Sequence, residues 1–376
     1  MVPASADGAK LVFDSDSGDC TIPGNFGADE LWLTDTYGGT VYLNGELWIS
    51  NYWYMGNGDL EQGQFPINVN CNGVWKNGDI NAQGADPATI NLTGNFAFEF
   101  ALGLNGRELG SNLEIGDGFQ LNFTGATFKV LKGANIDVNS GGVFNWTGNG
   151  DIEVPAFVLS HLNCYGGTAS VASPNRQCDL HYFQSDGQLN VLSGSVTFGT
   201  NVHGSDSEIV VDGGTVFIGD QAILASTRSS SFMDCDIVTE GGHRSQLISR
   251  VTRWSYVSVT IGKTQTGVDT IGEFTVGGDL AWDHGQLYVS IDAQTLDSDV
   301  LHVARGAESG LGGNATIDNT VGVNVAALNS GAGIPKNKYW QLIVADVGTS
   351  VLGVYAESLP AGLTLDIAAN VAGVKS

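Results

Sequence analysis

The chain has 376 residues, 42% of them hydrophobic, so it can build a large core and is not a disordered polymer. Forty acidic residues against fifteen Lys and Arg give a formal net charge of −25, which excludes nucleic acid and anionic membrane as partners, since both require basic surface. Fifty-three glycines, only 15% charged residues and plentiful Val, Ile, Thr, Phe and Trp describe short strands joined by tight turns; no segment has capped helical periodicity, so the class is all-β.

The opening "MVPASADGAK" contains Ala4-Ser5-Ala6, the small-x-small form of a signal-peptidase site, and reads as an exported fragment whose leader was removed. No apolar run is long enough to cross a bilayer, so direct membrane insertion is not expected. "DSDSGD" brings Asp14, Asp16 and Asp19 together, and "DSDV" later offers Asp297 and Asp299. Such spacing suits calcium better than a transition metal, although neither cluster is an EF-hand or a glycine-aspartate calcium repeat, and solvated turn carboxylates are the plainer reading. No cofactor is required by any motif.

"TVYLNGELWIS" (Thr40 to Ser50) reads as a hairpin with Asn44-Gly45 at a type I′ turn. It runs into "ELWISNYWYMG", dense in aromatic residues, where Trp48 and Trp53 are the candidates for stacking on sugar rings if they face outward. Then a phrase repeats: "WYMGNGDLEQG", "VWKNGDINAQG" and "NWTGNGDIEVP" each place a tryptophan before Asn-Gly-Asp and a branched or leucine-like residue. A catalytic phrase is used once; three uses point to architecture. Asn57-Gly58, Asn77-Gly78 and Asn149-Gly150 supply corner residues that tolerate positive φ. Trp53, Trp75 and Trp146 fill the corner, and Asp59, Asp79 and Asp151 accept turn N–H groups. Asp59 and Asp79 are twenty residues apart, and the same grammar continues in "NLEIGDGFQLNF", "GQLNVLSGSVTFG" and "SEIVVDGGTVFIG". That period is the signature of a β-solenoid, whose coils bury their apolar residues only by stacking.

Cys20, Cys71, Cys164, Cys178 and Cys235 lack any CxxC pair, so a zinc cluster is not expected. Bridges Cys164–Cys178 and Cys20–Cys71, with Cys235 left over, and buried free thiols both remain open. The six histidines show no metal-binding spacing. Four Asn-x-Ser/Thr sequons, at Asn91, Asn122, Asn145 and Asn314, are expected by chance in so Asn- and Thr-rich a chain.

From Arg228 to Arg253 the texture changes, as four of the fifteen basic residues gather among acidic ones. This polar insertion is the strongest enzymatic candidate. Asp234 and Asp236, two apart, would share a strand face, with His243, Arg244 and Arg250 joining them in the manner of a polysaccharide lyase or glycoside hydrolase. A loop whose arginines pair with acidic neighbours explains the same residues.

The closing stretch holds Gly278-Asp279 with Gly285 to Ile291, Asp299 to Val303, Leu311 to Ile317, Trp340 to Ala345 and Leu359 to Leu363. This ordered series resembles the end of bacterial surface solenoids of the autotransporter-passenger and autotransporter-associated β-strand type. The resemblance covers the closing hundred or so residues and implies a secreted or surface-displayed, structural or adhesive role, with no catalytic residues to carry over. The expectation is therefore an all-β, right-handed parallel β-helix with distinct C-terminal capping coils, the alternative being tandem β-sandwiches. Residues 1–253 would form the solenoid with an insertion near 228–253, and 254–376 its closing coils and cap. Its function would be that of an exported, non-enzymatic extracellular or cell-surface protein with self-association or glycans as partners; the alternative is a secreted polysaccharide-active enzyme.

Overall fold

The computed structural model describes residues 9–82, 88–92, 97–100, 107–125, 127–131, 133–154, 160–199, 208–242, 244–305, 312–347, 351–368 and 370–376. Among them there is no α-helix, and the chain forms a parallel β-solenoid of about 11 turns. It divides into two compact units, Met1–Phe183 and Gln184–Ser376.

In the N-terminal unit each coil gives one strand to each of three parallel sheets. The first sheet runs from Lys10–Phe13 through the second half of Phe26–Leu33 and of Leu47–Met55 to Asn72–Trp75, and on through Gln120–Phe123 to Val143–Trp146. The second takes Cys20–Ile22, Thr40–Leu43, Asp59–Glu61, Ile80–Asn81, Arg107–Leu109, Phe128–Val130 and Ile152–Glu153. The third takes the first half of Phe26–Leu33 and of Leu47–Met55, then Ile67–Val69, Thr89–Leu92, Asn112–Ile115, Ile136–Asn139 and His161–Tyr165. Strand alternation sends every second side chain inward, and the register stacks like on like. Leu33, Met55 and Trp75 share one inward row, and Leu113, Ile136 and Leu162 another, all at most 3% exposed. Each such side chain stabilises the stack by about 1.5–3 kcal/mol.

The repeated tryptophan phrase is a coil corner. Trp75 Nε1 donates to Gly78 O at 2.9 Å, and Trp146 Nε1 to Gly150 O at 3.1 Å. The aspartates bond from coil to coil: Asp59 Oδ1 accepts from Asp79 N (3.2 Å), Asp79 Oδ1 from Glu108 N (3.0 Å) and Asp151 Oδ1 from Gln177 N (2.9 Å). Each supplies a partner for a corner N–H that would otherwise lie outside the strand ladders. Two details differ from the expectation. Trp53 stands two residues out of phase, since Met55 is the residue in register with Trp75. Gly58 and Gly78 use positive φ (82° and 86°), but Gly150 does not.

The Asn44-Gly45 hairpin does not form. Thr40–Leu43 and Leu47–Met55 enter different parallel sheets, and Asn44 N bonds back to Ile22 O of the preceding coil at 3.0 Å. Close stacking of coils explains the glycine, because a Cβ on Gly45 would lie 2.1 Å from Gly24 C. Parallel pairing also removes the sandwich alternative.

The C-terminal unit repeats the three-sheet plan with longer strands, notably Arg244–Thr260 and Glu273–Asp292, each of which bends through all three sheets. Residues 228–253, read from sequence as an interruption, supply coil strands here: Ser229–Met233, Asp236–Thr239 and the start of Arg244–Thr260. The unit closes differently from its coils. Val371–Lys375 runs antiparallel to both Tyr339–Ala345 and Thr364–Ala368, forming a capping hairpin.

Candidate functional site

The outward side of the third sheet in the N-terminal unit carries an unusual row. Trp48, Asn68, Asn91, Glu114, Asp137 and Asn163 are in register on successive coils. Each lies between two inward apolar residues, as in Leu47-Trp48-Ile49, Leu113-Glu114-Ile115 and Ile136-Asp137-Val138, so alternation alone turns them outward. Neighbouring members bond along the row: Asn91 Nδ2 donates to Asn68 Oδ1 (2.8 Å) and Asn163 Nδ2 to Asp137 Oδ1 (2.6 Å). Successive positions lie about 4.8 Å apart, the strand spacing.

Glu114 and Asp137 are adjacent like charges, and among the described residues neither is in an ion pair. Burial raises the Glu114 carboxyl above its ordinary range, and the Asp137 charge adds to this. Burial also raises Asp137, opposed by the Asn163 hydrogen bond and by His161. Burial and the nearby His181 hold His161 low, and the two rings meet edge to face at 5.8 Å. Tyr165, 43% exposed, is raised by burial and by Asp137. Burial is the leading cause at each of these groups, and Asp137 is a neighbour that perturbs Glu114, His161 and Tyr165 alike.

Of the two aromatic candidates, Trp48 heads this row, half-buried, whereas Trp53 is in the core at 1% exposure and offers no face to a ligand. The outward rings near them are Trp32 and Tyr54, stacked at 5.0 Å. Lys10 Nζ covers Trp32 at 4.1 Å and Lys76 Nζ lies 5.1 Å from the Tyr54 ring. These faces are occupied by each other and by the two cations, so the stack joins coils and leaves no open ring face.

The residues of the enzymatic alternative are spread over several corners and sheets. Asp234 sits at an exposed corner with φ 48°, and Asp236 begins the next strand, so the two do not share a strand face. Arg244 is on another sheet, where its Nη2 lies 2.9 Å from Glu273 Oε1; Arg250 is exposed at a further corner, its N–H bonded to Arg228 O. His243 lies outside the described residues.

Three of the calcium candidates, Asp14, Asp19 and Asp299, act as turn and corner acceptors. Asp14 Oδ1 accepts from Asp16 N and Ser17 Oγ, both at 3.1 Å, and Asp19 Oδ1 from Thr40 N at 2.9 Å. Asp297 is exposed, while Asp299 is fully buried, with Oδ1 accepting from Gly272 N (2.7 Å) and Oδ2 from Ser290 N (2.5 Å). Burial pushes the Asp299 carboxyl up to about 7 against those two bonds. Among the described residues no three His, Cys, Asp or Glu side chains converge as a metal site. All five cysteines are free thiols, four of them buried.

Asn68, Glu114, Asp137 and Asn163 are not among the residues singled out by the sequence, and Asn91 stands there only as a sequon. The signal was present as apolar–polar–apolar triplets ("LWI", "INV", "INL", "LEI", "IDV", "LNC") once per coil from Leu47 to Cys164. Aligning on Asn-Gly-Asp drew attention to the corners.

No family model matches the chain, and neither a curated protein nor a solved structure matches it.

Proposed function

We propose that the chain is an exported, non-enzymatic adhesive protein of the bacterial cell surface or extracellular space, of the autotransporter-passenger kind, and that it binds a linear polysaccharide along the Trp48–Asn163 row. The observation that carries this reading is the register: six polar or aromatic residues on the outward side of one sheet, one per coil, follow one another at the strand spacing, with Trp48 half-buried at one end and Asn163 buried at the other. Planar amide and carboxyl groups suit sugar hydroxyls, which both donate and accept. Trp48 provides an aromatic surface at one end. The stack of coils supplies stiffness, so the row is organised before the ligand arrives and little ordering is lost on binding.

The test is a panel of linear polysaccharides, scored both for binding and for release of reducing or unsaturated ends. Trp48→Ala should weaken binding about tenfold, in line with the loss of one aromatic anchor, whereas Trp32→Ala should leave it unchanged. Equal affinity of wild type and Trp48→Ala would remove this row as the binding face. Release of new chain ends, abolished by Glu114→Gln or Asp137→Asn, would instead make the row the site of a hydrolase or lyase.

A further inference from the structure

The closing coils of the C-terminal unit hold a second charged chain, remote in sequence from the row. His302, on Val300–Ala304, stands in register between Thr275 and Val344. Its Nδ1 lies 3.2 Å from Glu273 Oε1 and its Nε2 2.8 Å from Asp346 Oδ1. Each carboxylate is also held by a second donor. Arg244 Nη2 is 2.9 Å from Glu273 Oε1, and the Arg305 backbone N–H donates to Asp346 Oδ2 at 3.1 Å. Arg244 and Glu273 also line a cleft of about 960 Å³ that reaches Tyr339 and Trp340.

We propose that His302 is a proton-dependent clasp. Protonated, it ties the Glu273 and Val300 strands to Tyr339–Ala345, the strand that carries the capping hairpin; on losing its proton it lets these coils loosen. An ionised carboxylate only accepts, and a neutral imidazole has a single N–H. Both contacts are therefore hydrogen bonds only in the imidazolium, and without the second proton one of them sets lone pair against lone pair. The charged groups facing the ring are Glu273 from the preceding strand and Asp346 from beyond the following one, with Arg244 behind the first and Arg305 beside the second. The His302 hydrogen bond is also the main reason the Asp346 carboxyl lies below its ordinary range. What the clasp restrains is the cap, since Ala345 N donates to Asn370 O (2.9 Å) and Asn370 Nδ2 to Ala345 O (3.0 Å) at the hairpin turn.

The test is amide hydrogen exchange of the full chain at pH 5.5, 7 and 8.5, corrected for intrinsic rates and resolved for peptides covering 273–277, 300–304 and 339–346. In the wild type these peptides should open about three- to tenfold more at pH 8.5 than at pH 5.5, the loss of one charged hydrogen bond at a part-exposed site. The part of the slope due to His302, about three- to tenfold, is what should persist in Asp299→Asn, which removes the nearby buried carboxyl and its own pH dependence. His302→Asn should be loose throughout and, combined with Asp299→Asn, without slope. Asp346→Asn is the more searching variant: its Nδ2 can donate to the neutral ring while its oxygen keeps the Arg305 N–H. That chain should stay closed at pH 8.5. A wild type without the slope, the full slope in His302→Asn, or an Asp346→Asn chain that loosens as the wild type does would each overturn the clasp.

Discussion

Gly78 offers a direct measure of how tightly the coils stack. Its φ is +86°, and a Cβ built there would lie 1.8 Å from Gly58 O, 2.9 Å from Gly58 C and 3.0 Å from Met55 Cε. Gly24 is the matching control, with φ +70° and nothing within 4 Å of the added atom. Both substitutions to Ala incur the left-handed backbone strain of an L-residue, about 1–2 kcal/mol. Gly24→Ala should cost no more than that. Gly78→Ala must also lift its corner off the preceding coil, an overpacking cost of about 1–3 kcal/mol. The lift strains two bonds that cross the same gap, Asp79 N to Asp59 Oδ1 (3.2 Å) and Asn77 Nδ2 to Asn57 Oδ1 (2.9 Å). A loss of about 2–5 kcal/mol is expected, summed over the backbone and overpacking costs. Urea unfolding followed by tryptophan fluorescence compares the two variants, and hydrogen exchange locates the damage to the Thr40–Ile80 coils. Equal losses from Gly24→Ala and Gly78→Ala would refute the close corner contact, and with it the coil-on-coil packing argued here.

Two further predictions concern buried titratable groups. Asp299 has a folded-state value of about 7, above that of an unfolded aspartate, so the folded chain holds the extra proton. Its contribution to stability is complete below about pH 4 and is lost as pH rises to about 7, by roughly 4 kcal/mol; the stability difference between wild type and Asp299→Asn, taken from unfolding midpoints between pH 4 and 8, should follow that slope, and a flat difference would contradict it. Burial pushes the Cys71 and Cys235 thiols up to about 12 and raises Cys178 as well, whereas Cys20 is half-buried. An alkylating reagent at pH 8 should therefore modify Cys20 first and the others only on unfolding, as read by peptide mass spectrometry; rapid native-state labelling of Cys71 would show that its coil is open.

The solenoid was legible because its signals are local and repeated. A corner needs Asn, Gly and Asp at fixed offsets, and those residues recur wherever the chain turns. The hairpin at Asn44-Gly45 was misread because the same dipeptide serves a hairpin turn and a coil corner; only the partner strand, one coil away in sequence, distinguishes them. Likewise Asp234 and Asp236 share a face only if one strand contains both, and the positive φ at Asp234 places a corner between them. Trp53 carries both a corner reading and an outward one in the sequence, because the coil bulges between Ala28 and Glu30 against its neighbour and shifts the alternation there. The Glu114–Asp137 pair required alignment of whole coils, because the two residues are adjacent only through register.

Two kinds of side-chain ladder run along the N-terminal unit, and their difference bears on function. Corner ladders such as Asp59–Asp79–Glu108 spend their acceptors on backbone N–H groups that stacking would otherwise leave without partners, so the fold requires them. The row from Trp48 to Glu114 is not needed in this way, since the strands beneath it are already joined by their own backbone bonds, whereas the buried Asn163 amide takes Asp137 as its acceptor. At the same positions two carboxylates stand side by side, each raised by burial and, among the described residues, neither in an ion pair. Replacing Glu114 by Gln should therefore leave stability unchanged or improve it while altering ligand affinity. That is the opposite of what Asp79→Asn should do at a corner, where the acceptor is part of the architecture.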